Sequence, residues 1–322
     1  MNDSRVVVRV PATSANLGPG FDSLGLALAF HDEITAELFT PEGGASEVRI
    51  EVTGEGAGEL DLGEGHLIIK AMRATFTRMG VVQPAGIRLG CLNRIPHARG
   101  LGSSSAAICA GILAARALAG LPYSGIDGVA VPRRAVEFSD DAVFQLATEL
   151  EGHPDNVAPC LAGGLTIAWT EHDGSARKVS LVPDAGIHPV AIVPGNRLST
   201  ETARGLLPKD VPHQDASFNA GRAALLIAAL TQRPERELLL AATEDLLHQN
   251  YRAPAMPQSA DLVKRLRAAG VPAVVSGAGP TILAFSTSDS QDLIAPQVGN
   301  DWHIQQMDVD PYGANVLVPE TR

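Results

Sequence analysis

A loop rich in glycine and serine leads directly into a long apolar segment in the first half of the chain. The loop reads Arg94-Ile-Pro-His-Ala-Arg-Gly-Leu-Gly-Ser-Ser-Ser-Ala-Ala107, and the apolar segment covers residues 108–119, where Gly120 ends it. These small residues predict a helix that begins inside the loop. A helix start leaves backbone N–H groups free at the positive end of the helix dipole, where a phosphate can bind without any side chain. The pattern therefore predicts a phosphate-binding loop.

Two glycines and three serines in this loop suit an anion site. Gly100 and Gly102 allow the backbone to approach a phosphate closely, and Ser103, Ser104 and Ser105 add hydroxyl groups for phosphate or magnesium. No Gly-Lys-Ser/Thr follows, so the loop is not a Walker A loop, and its spacing misses the dinucleotide pattern Gly-x-Gly-x-x-Gly. The alternative is a serine-capped helix after a flexible turn. The clustering at one helix start favours the phosphate site.

The composition describes an ordinary globular protein and excludes several classes of function. The 322 residues carry a net charge of −11, with 45% hydrophobic and 19% charged residues. This acidic balance argues against a nucleic-acid surface and favours small ligands bound at local positive sites. No basic and apolar signal precedes Val6, and Arg116 interrupts the longest apolar run, at 106–121. We therefore expect neither a targeting signal nor a membrane span.

The cysteines give no sign of a metal site or a disulfide framework. Their number is odd, their spacing is wide, and each lies among apolar neighbours: Cys91, Cys109 and Cys160. We expect buried, reduced thiols and a cytoplasmic protein.

Strand-like and helix-like segments follow one another irregularly, which predicts an α+β fold rather than a doubly wound parallel sheet. Alternating or β-branched apolar residues predict strands at 5–10, 24–30, 47–53, 87–95, 165–169, 179–182 and 190–193, and two strands within 274–285. Beyond the loop helix, helical spacing predicts a helix at 134–151, and composition and helix ends predict helices at 67–79, 218–230, 235–247 and 260–269. Pro11 is expected to stop the first strand, and the pattern changes near 163–184, the best domain boundary.

Acidic and amide side chains cluster at the predicted end of one helix, in the segment Glu149-Leu-Glu-Gly-His-Pro-Asp-Asn156. A carboxylate at the negative end of a helix dipole costs roughly 0.3–1 kcal/mol unless a cation compensates, and magnesium shared with triphosphate oxygens would do so. Taken alone, the segment is explained somewhat better as an ordinary helix end, with Asp155 and Asn156 supporting the turn that follows. Spacing does not decide whether Glu149 or Glu151 would face the metal.

Two further loops are rich in small and polar residues. Residues 11–22 read Pro-Ala-Thr-Ser-Ala-Asn-Leu-Gly-Pro-Gly-Phe-Asp and could present Asn16 and Asp22 to a cleft, although an Asx-type turn is an equal alternative. Residues 276–281 read Ser-Gly-Ala-Gly-Pro-Thr, for which a hairpin loop between buried strands is the alternative.

Together, these four segments resemble the superfamily of galacto-, homoserine, mevalonate and phosphomevalonate kinases, the GHMP kinases. Residues 96–107 are similar to its phosphate motif Pro-x-x-x-Gly-Leu-Gly-Ser-Ser, and residues 276–281 to its third motif. Residues 11–22 and the sequence His153-Pro-Asp-Asn156 are similar to the homoserine kinase branch. The order and spacing of the motifs hold across nearly the whole chain.

The resemblance implies a two-domain GHMP kinase fold. The N-terminal domain would be of the ribosomal-protein S5 domain 2 type and would bind ATP, and the C-terminal domain would be ferredoxin-like and complete the substrate site. We expect them at 1–170 and 171–322, with the active cleft between them. The implied reaction transfers the γ-phosphate of ATP to the side-chain hydroxyl of L-homoserine, giving O-phospho-L-homoserine for threonine biosynthesis.

The resemblance also implies roles for individual residues. Mg²⁺ would be held by Ser104 and by Glu151, which the alignment favours over Glu149. Adenine contacts are less secure, because the chain has His66 where the family commonly has asparagine. The ATP-binding residues would be Pro96, Arg99, Gly100, Leu101, Gly102, Ser103, Ser104, Ser105, Ala106, Gly277 and Gly279.

Two segments that end in arginine resemble the family's substrate-binding segments: Ser199-Thr-Glu-Thr-Ala-Arg204 and His248-Gln-Asn-Tyr-Arg252. A guanidinium fork pairs with a carboxylate through two charge-assisted hydrogen bonds, although a surface salt bridge is the usual use of one arginine. The resemblance implies that Asp22 takes the substrate ammonium group and that Asn16 and His153 also bind the substrate. The catalytic residues would be Asn156, Asp155 and Thr200, with Asp155 either a base or a positioning group.

Three other interpretations remain open at this point. One is a superfamily kinase acting on another alcohol, and another is an inactive nucleotide sensor or scaffold on the same fold. A purely structural or interaction module would leave the four loops unexplained. The few aromatic residues and the acidic charge argue against nucleic acid as a partner, no membrane partner is expected, and a homodimer is compatible with the resemblance.

Overall fold

The computed structural model describes residues 5–120, 138–287 and 290–317. The strands in this part of the chain are β1 (Arg5–Ala15), β2 (Leu24–Phe39), β3 (Glu47–Gly54), β4 (Gly86–Asn93), β5 (Leu165–Thr170), β6 (Ala176–Leu181), β7 (His188–Pro194), β8 (Ala273–Val275), β9 (Ile282–Ser286), β10 (Trp302–Gln306) and β11 (Asn315–Leu317). The α-helices are α1 (Leu67–Arg78), α2 (Ser103–Gly120), α3 (Asp140–Glu151), α4 (Val157–Ala162), α5 (Thr200–Gly205), α6 (His213–Thr231), α7 (Arg236–Ala242), α8 (Gln249–Arg252) and α9 (Pro257–Ala268).

The larger sheet has the strand order β11-β1-β2-β4-β3, and β5 pairs with the start of β2 and with β6. Its pairs are antiparallel except for the parallel pair of β3 and β4. Helices α1 to α4 pack on this sheet, and their apolar faces share one core with it, as at Phe76, Ile112 and Phe144. Helix α2 is long and apolar enough to cross a membrane by composition alone, and most of it is buried inside the protein.

The smaller sheet has the order β10-β7-β9-β8 and is antiparallel. Alternate residues of β7 face opposite sides of it, as strand geometry requires. Val190 and Ile192 pack in a core with Leu262 and Leu266 of α9, whereas Ala191 and Val193 join the core of the larger sheet. The two sheets are therefore joined by shared apolar packing.

Most predicted elements are present, with different bounds in several cases. Pro11 does not end β1, because a register shift between Pro11 and Ala12 accommodates a residue without an N–H group and the strand continues to Ala15. The helix predicted at 134–151 begins at Asp140 after the N-cap Ser139, and residues 134–137 lie outside the described part. The helix predicted at 235–247 ends at Ala242.

The predicted domain boundary at residue 170 does not coincide with the limits of a sheet. Strand β6 lies beyond residue 170 but pairs with β5 from Leu165 opposite Leu181 to Thr170 opposite Ala176. Strand β11, near the other end of the described residues, pairs with β1. The larger sheet thus takes strands from both segments that the sequence assigned to separate domains.

Candidate active site

The glycine- and serine-rich loop connects β4 to α2, and α2 begins at Ser103 as the sequence predicts. Gly100 and Gly102 have φ values of 77° and 70°, the left-handed region that favours glycine. A Cβ atom on Gly100 would lie 2.3 Å from the Ser276 carbonyl oxygen, and one on Gly102 would lie 1.9 Å from the Thr13 Oγ1. Both positions therefore require glycine for reasons of space as well as of backbone angle.

The second glycine-rich turn packs directly against this loop. The Ser276 hydroxyl donates to the Gly100 carbonyl at 2.6 Å and lies 2.8 Å from the Ser14 hydroxyl. The Gly277 N–H donates to the Ala15 carbonyl at 3.1 Å. Three loops that are far apart in the sequence therefore meet at one place, which is a site rather than three independent turns.

The loop at residues 16–22 is shaped by its own side chains. Asn16 has a φ of 66° and is 3% exposed. Its Oδ1 accepts from the Asp22 N–H and its Nδ2 donates to the Gly277 carbonyl, each at 2.9 Å. From α6, the buried Asn219 donates to the Pro19 carbonyl at 2.6 Å. Asn16 lines the site, but both ends of its carboxamide already make hydrogen bonds to backbone groups.

A cavity of about 280 Å³ lies where these loops meet the ends of α3 and α5. Many predicted site residues line it: Asn16, Gly100, Gly102, Ser103, Ser104, Glu151, His153, Asp155, Asn156, Thr200, Arg204, Arg252 and Gly277. Thr200 is exposed at the first turn of α5, at the rim. The phosphate loop and the two arginines thus line one space.

Other residues predicted to bind ATP do not line this cavity with their side chains. Leu101 is in the apolar core, and Ser105 is buried. Gly279 lies against Met256, and Ala106 lines a neighbouring cavity. Pro96 is half-buried and absent from the lining. The side chains of these residues therefore do not reach the space beside the two arginines.

The Arg99 side chain has partners other than the cavity. Its Nη1 lies 3.3 Å from Glu55 Oε2 and its Nη2 donates to the Gly195 carbonyl at 3.2 Å. Leu198 N–H donates to the Ala98 carbonyl at 2.9 Å next to it. Arg99 therefore connects the phosphate loop to the segment that follows β7, a structural use that its spacing did not predict.

The two glutamates of the acidic segment lie on opposite faces of α3. Glu151 Oε1 accepts hydrogen bonds from the Ser104 hydroxyl at 2.7 Å and from the Ser105 hydroxyl at 2.9 Å. Glu149 instead pairs with Arg78. Burial raises the pKa of Glu151 above its ordinary value, although the two serine hydrogen bonds oppose this. Glu151 is therefore the carboxylate that faces the phosphate loop.

The arginine and aspartate predicted to hold the two charges of a substrate are paired with each other. Arg204 donates to both carboxylate oxygens of Asp22, with Nη1 at 3.0 Å and Nη2 at 2.6 Å. Their side chains are each 35% exposed. This fork-to-carboxylate geometry is the one that a substrate carboxylate would adopt on Arg204.

Arg252 is buried beside this pair. It is 1% exposed, and its Nη1 lies 3.2 Å from His248 Nδ1 and 3.3 Å from the Gly277 carbonyl. Its Nε is buried and has no hydrogen-bond partner in the part of the chain that the structure describes. Burial lowers the pKa of Arg252 from its ordinary value, which lies far above neutrality. The Phe21 ring lies 5.8 Å from the Arg204 Cζ and 5.4 Å from the Arg252 Cζ.

The turn after α3 carries two linked side chains. His153 Nδ1 lies 2.7 Å from Asp155 Oδ1, and Asp155 is 2% exposed. Burial alone would lower the pKa of His153, but the hydrogen bond and the charge of Asp155 outweigh it and raise the pKa above its ordinary value. The next residue, Asn156, accepts a hydrogen bond from the Thr13 hydroxyl at 2.8 Å.

A second cavity of about 300 Å³ adjoins the first, and Ser103 and Ser104 line both. His66 lines it and is 5% exposed. Neither ring nitrogen has a hydrogen-bond partner among the described residues, and burial lowers the pKa of the ring. Asp32 also lines it and accepts from the N–H groups of Arg94 and Ile95. Burial raises the pKa of Asp32 to about 6. The space is mostly apolar with a few unsatisfied polar groups, which suits a planar heterocycle.

Sequence reasoning missed Thr13, Phe21 and His248, which lie within or next to the motifs. Thr13 lies inside the motif at residues 11–22, but its partner Asn156 lies 143 residues further along the chain. Phe21 contacts Arg204 and Arg252, and His248 contacts Phe21 and the Gly18 carbonyl, all more than 180 residues away, so local pattern carried little signal for these contacts.

Comparisons with known proteins agree with this geometry. Residues 66–164 match the family model described as GHMP kinases N terminal domain, and residues 226–304 match GHMP kinases C terminal. A homoserine kinase of Streptomyces coelicolor is 53% identical over 97% of this chain and 94% of its own length. The chain belongs to the homoserine kinase family of GHMP kinases. A Streptomyces avermitilis homoserine kinase is 54% identical over 97% of this chain and 95% of its own length.

Among solved structures, the homoserine kinase of Cytophaga hutchinsonii superposes with a TM-score of 0.80 at 26% identity, covering 98% of each chain. The predicted GHMP kinase fold and family are therefore confirmed, and with them the class of enzyme. The interpretations as a sensor, scaffold or structural module lose their support. The roles of single residues stay predictions.

Proposed function

We propose that the protein transfers the γ-phosphate of ATP to the side-chain hydroxyl of L-homoserine and gives O-phospho-L-homoserine, a step towards threonine. One observation carries this proposal. The cavity has a phosphate-binding loop on one side and the guanidinium groups of Arg204 and Arg252 on another. An acceptor with a carboxylate and an ammonium group fits these charges, whereas a sugar or mevalonate lacks the ammonium group.

The two adjoining cavities suit the two ends of ATP. The triphosphate would lie along residues 100–105, where the backbone N–H groups at the start of α2 point toward it. The adenine would enter the second cavity, since Ser103 and Ser104 line both spaces. There the neutral His66 ring offers one donor and one acceptor that nothing else satisfies.

A magnesium ion fits the residues at the junction of these cavities. Mg²⁺ prefers oxygen ligands and commonly uses one or two carboxylates together with substrate phosphates. Ser104 and Glu151 supply a hydroxyl and a carboxylate that lie within 2.7 Å of each other. No group of three or more His, Cys, Asp or Glu residues that could hold a metal occurs in the part of the chain that the structure describes. Bound there, the ion would neutralise charge on the phosphates.

The acceptor would enter by exchanging partners with the pair of Asp22 and Arg204. Its carboxylate would take over the guanidinium fork of Arg204, and its ammonium group would then satisfy Asp22. Arg252 adds a second positive charge beside the carboxylate, and its buried Nε without a partner supports that role. The exchange keeps each buried charge compensated, which limits its cost.

The transfer itself needs positioning more than a strong base. Phosphoryl transfer has a loose transition state, so orientation of the hydroxyl and stabilisation of phosphate charge supply most of the rate. Asn156 and the rim residue Thr200 would orient the hydroxyl. Asp155 is 2% exposed and bonded to His153, which supports a positioning role for Asp155. The raised pKa of His153 favours a protonated ring beside the transferred phosphate.

The test is ADP release by the purified protein with ATP and magnesium. L-homoserine would be compared with L-serine, L-threonine, mevalonate, galactose and no acceptor. Two truncated acceptors separate the charges: 3-aminopropan-1-ol lacks only the carboxylate of homoserine, and 4-hydroxybutanoate lacks only its ammonium group. We expect turnover with homoserine and large losses with both truncated compounds. Equal turnover with either one would contradict the two-charge site.

We further propose a cytoplasmic enzyme that acts without nucleic acid or membrane, because the chain is acidic and its one long apolar helix, among the described residues, packs into the core. A homodimer stays a prediction. Light scattering on the eluting protein would measure the mass in solution, and a mass near the 33.6 kDa of one chain would exclude the dimer.

A further inference from the structure

We propose that Thr13 is a positioning residue for the transfer step, because its hydroxyl sets the orientation of the Asn156 carboxamide so that Nδ2 faces the cavity. This inference rests on the proposed function for its kinetic consequences. Its structural part, the orientation of one amide group, does not.

Thr13 is held rigidly beneath the phosphate loop. It lies in β1, opposite Ala27 of β2, and it is fully buried. Its N–H donates to the Leu101 carbonyl at 3.1 Å, which joins the backbone of Thr13 to that of the phosphate loop. The Cβ position of Gly102 is only 1.9 Å from the Thr13 Oγ1 and 3.1 Å from the Asn156 Oδ1. The absent side chain of Gly102 thus leaves room for the hydroxyl and the amide to meet.

Asn156 has no other contact that would orient its carboxamide, within residues 5–120, 138–287 and 290–317. It occupies the N-cap position of α4, with φ −98° and ψ −38°, but its side chain does not cap that helix. An amide group of this kind can turn over and exchange its oxygen and nitrogen, since the two ends have nearly the same shape. The hydrogen bond from Thr13 is what distinguishes them.

The direction of this hydrogen bond follows from the burial of Thr13. When the hydroxyl donates at 2.8 Å to Asn156 Oδ1, its hydrogen is satisfied. In the reversed orientation the amide nitrogen would donate to the hydroxyl, and the hydroxyl hydrogen would be left in the core. In the part of the chain described, Asn156 Oδ1 is its only hydrogen-bond acceptor. A buried donor without an acceptor is costly, so the first orientation is favoured.

The orientation decides what Asn156 offers to a reacting group. Asn156 is half-buried and lines the cavity beside Ser103 and Ser104, and with Oδ1 turned to Thr13 the Nδ2 group is the end left for the cavity. An N–H donor attracts the oxygens of a transferred phosphate and the lone pair of an acceptor hydroxyl. A carbonyl oxygen at the same place would repel both. Thr13 therefore acts through Asn156 without touching either substrate.

The experiment compares Thr13→Val, which keeps the shape and removes the donor, with Thr13→Ser, which keeps the hydroxyl. Thr166→Val is the matched control, because Thr166 is also fully buried in the same sheet and its hydroxyl donates to the Gly25 carbonyl, away from the cavity. We expect Thr13→Val to lower kcat about 10- to 100-fold, less than the roughly 100- to 1000-fold cost of removing such a donor outright, because the amide loses its orientation but is still present. Neither KM should change much. Thr13→Ser and Thr166→Val should keep most of the activity.

A double-mutant cycle with Asn156→Ala shows whether the effect passes through that residue. In the Asn156→Ala background, Thr13→Val should change kcat by less than about twofold, because there is no amide left to orient. An equal loss in both backgrounds, or an equal loss in Thr166→Val, would overturn the proposal. So would full activity of Thr13→Val. A wild-type protein without homoserine turnover would instead contradict the proposed function.

Nuclear magnetic resonance tests the orientation without activity. The side-chain amide signals of Asn156 are identified by their loss in Asn156→Ala. We expect them to shift and broaden in Thr13→Val and to keep their positions in Thr166→Val, with the melting temperature checked for each variant. Unchanged Asn156 signals in a folded Thr13→Val protein would overturn the inference, whatever the acceptor proves to be.

Discussion

Replacing Arg204 by alanine should weaken the binding of homoserine far more than that of ATP. The guanidinium group makes hydrogen bonds of 3.0 and 2.6 Å to Asp22, and we propose that the substrate carboxylate takes over this fork. A hydrogen bond to a charged group contributes about 1.5–3 kcal/mol. Because 35% of the side chain is exposed and solvent screens it, we assign about 2–3 kcal/mol to the whole fork.

That free energy corresponds to an increase of about 30- to 150-fold in the KM for homoserine, since about 1.4 kcal/mol changes an equilibrium constant tenfold. The phosphate loop does not contact Arg204, so the affinity for ATP should change by less than about twofold. The Arg204→Lys variant keeps the charge without the fork, and its KM for homoserine should lie between those of the wild type and Arg204→Ala. Arg233→Ala removes an exposed arginine that pairs with Glu235, and it serves as the control for net charge.

The assay measures ADP release against each substrate in turn, together with calorimetric binding of ADP. Arg204→Ala should also discriminate less between homoserine and 3-aminopropan-1-ol, because it lacks the guanidinium group that would bind the carboxylate. A parallel loss of ADP affinity, or a homoserine KM equal to that of Arg233→Ala, would refute the assignment of Arg204 to the acceptor carboxylate.

Glu151→Gln should lose magnesium-dependent turnover and yet melt about 1–3 °C higher in a thermal scan. Burial raises the pKa of Glu151 in the folded protein, so the ionised carboxylate destabilises the metal-free fold once pH rises above the pKa of the unfolded state. For the same reason, the metal-free protein should bind Mg²⁺ more weakly as acid protonates Glu151, an effect that begins above the usual pH for a glutamate. Asp310→Asn should lose about 1–3 kcal/mol in urea unfolding at pH 7. Burial alone would raise the pKa of Asp310, but the hydrogen bond from His31 and those from backbone N–H groups outweigh burial and lower the pKa. The difference in stability between the two proteins should therefore vanish as pH falls through that lowered pKa. Gly100→Ala should bind ADP at least about tenfold more weakly by calorimetry, because a Cβ at φ 77° would meet the Ser276 carbonyl.

The parts of the site that depend on local chemistry could be predicted from the sequence. Glycine spacing and the start of a helix determine the phosphate loop within a few residues, and Ser103 begins α2 as expected. The spacing could not decide between Glu149 and Glu151, because that depends on which face of α3 packs toward α2, and the preference for Glu151 came from the resemblance alone. The resemblance placed Arg99 among the ATP-binding residues, and its contacts with Glu55 and Gly195 could not be predicted because both are distant in the sequence.

The elements of the fold divide in the same way, into those that local sequence predicts and those that depend on distant contacts. Long segments such as α1 and α6 were predicted because their residues favour a helix over several turns. Strand β11 was not predicted, since three residues carry no usable period and its strand character comes from pairing with β1. The helix predicted at 235–247 ends early because the Asp245 carboxylate accepts the N–H groups of residues 247–249 and begins the next helix, α8.

The pairing of β11 with β1 has a consequence for the growing chain on the ribosome. Val8 lies opposite Val316, so one side of β1 has no partner strand until about 300 further residues have been made. At about 5–20 residues per second, that edge stays open for roughly 15–60 s. An open edge can pair with another nascent chain. The charged side chains of Arg5 and Arg9 are exposed along β1 and discourage such pairing during the wait.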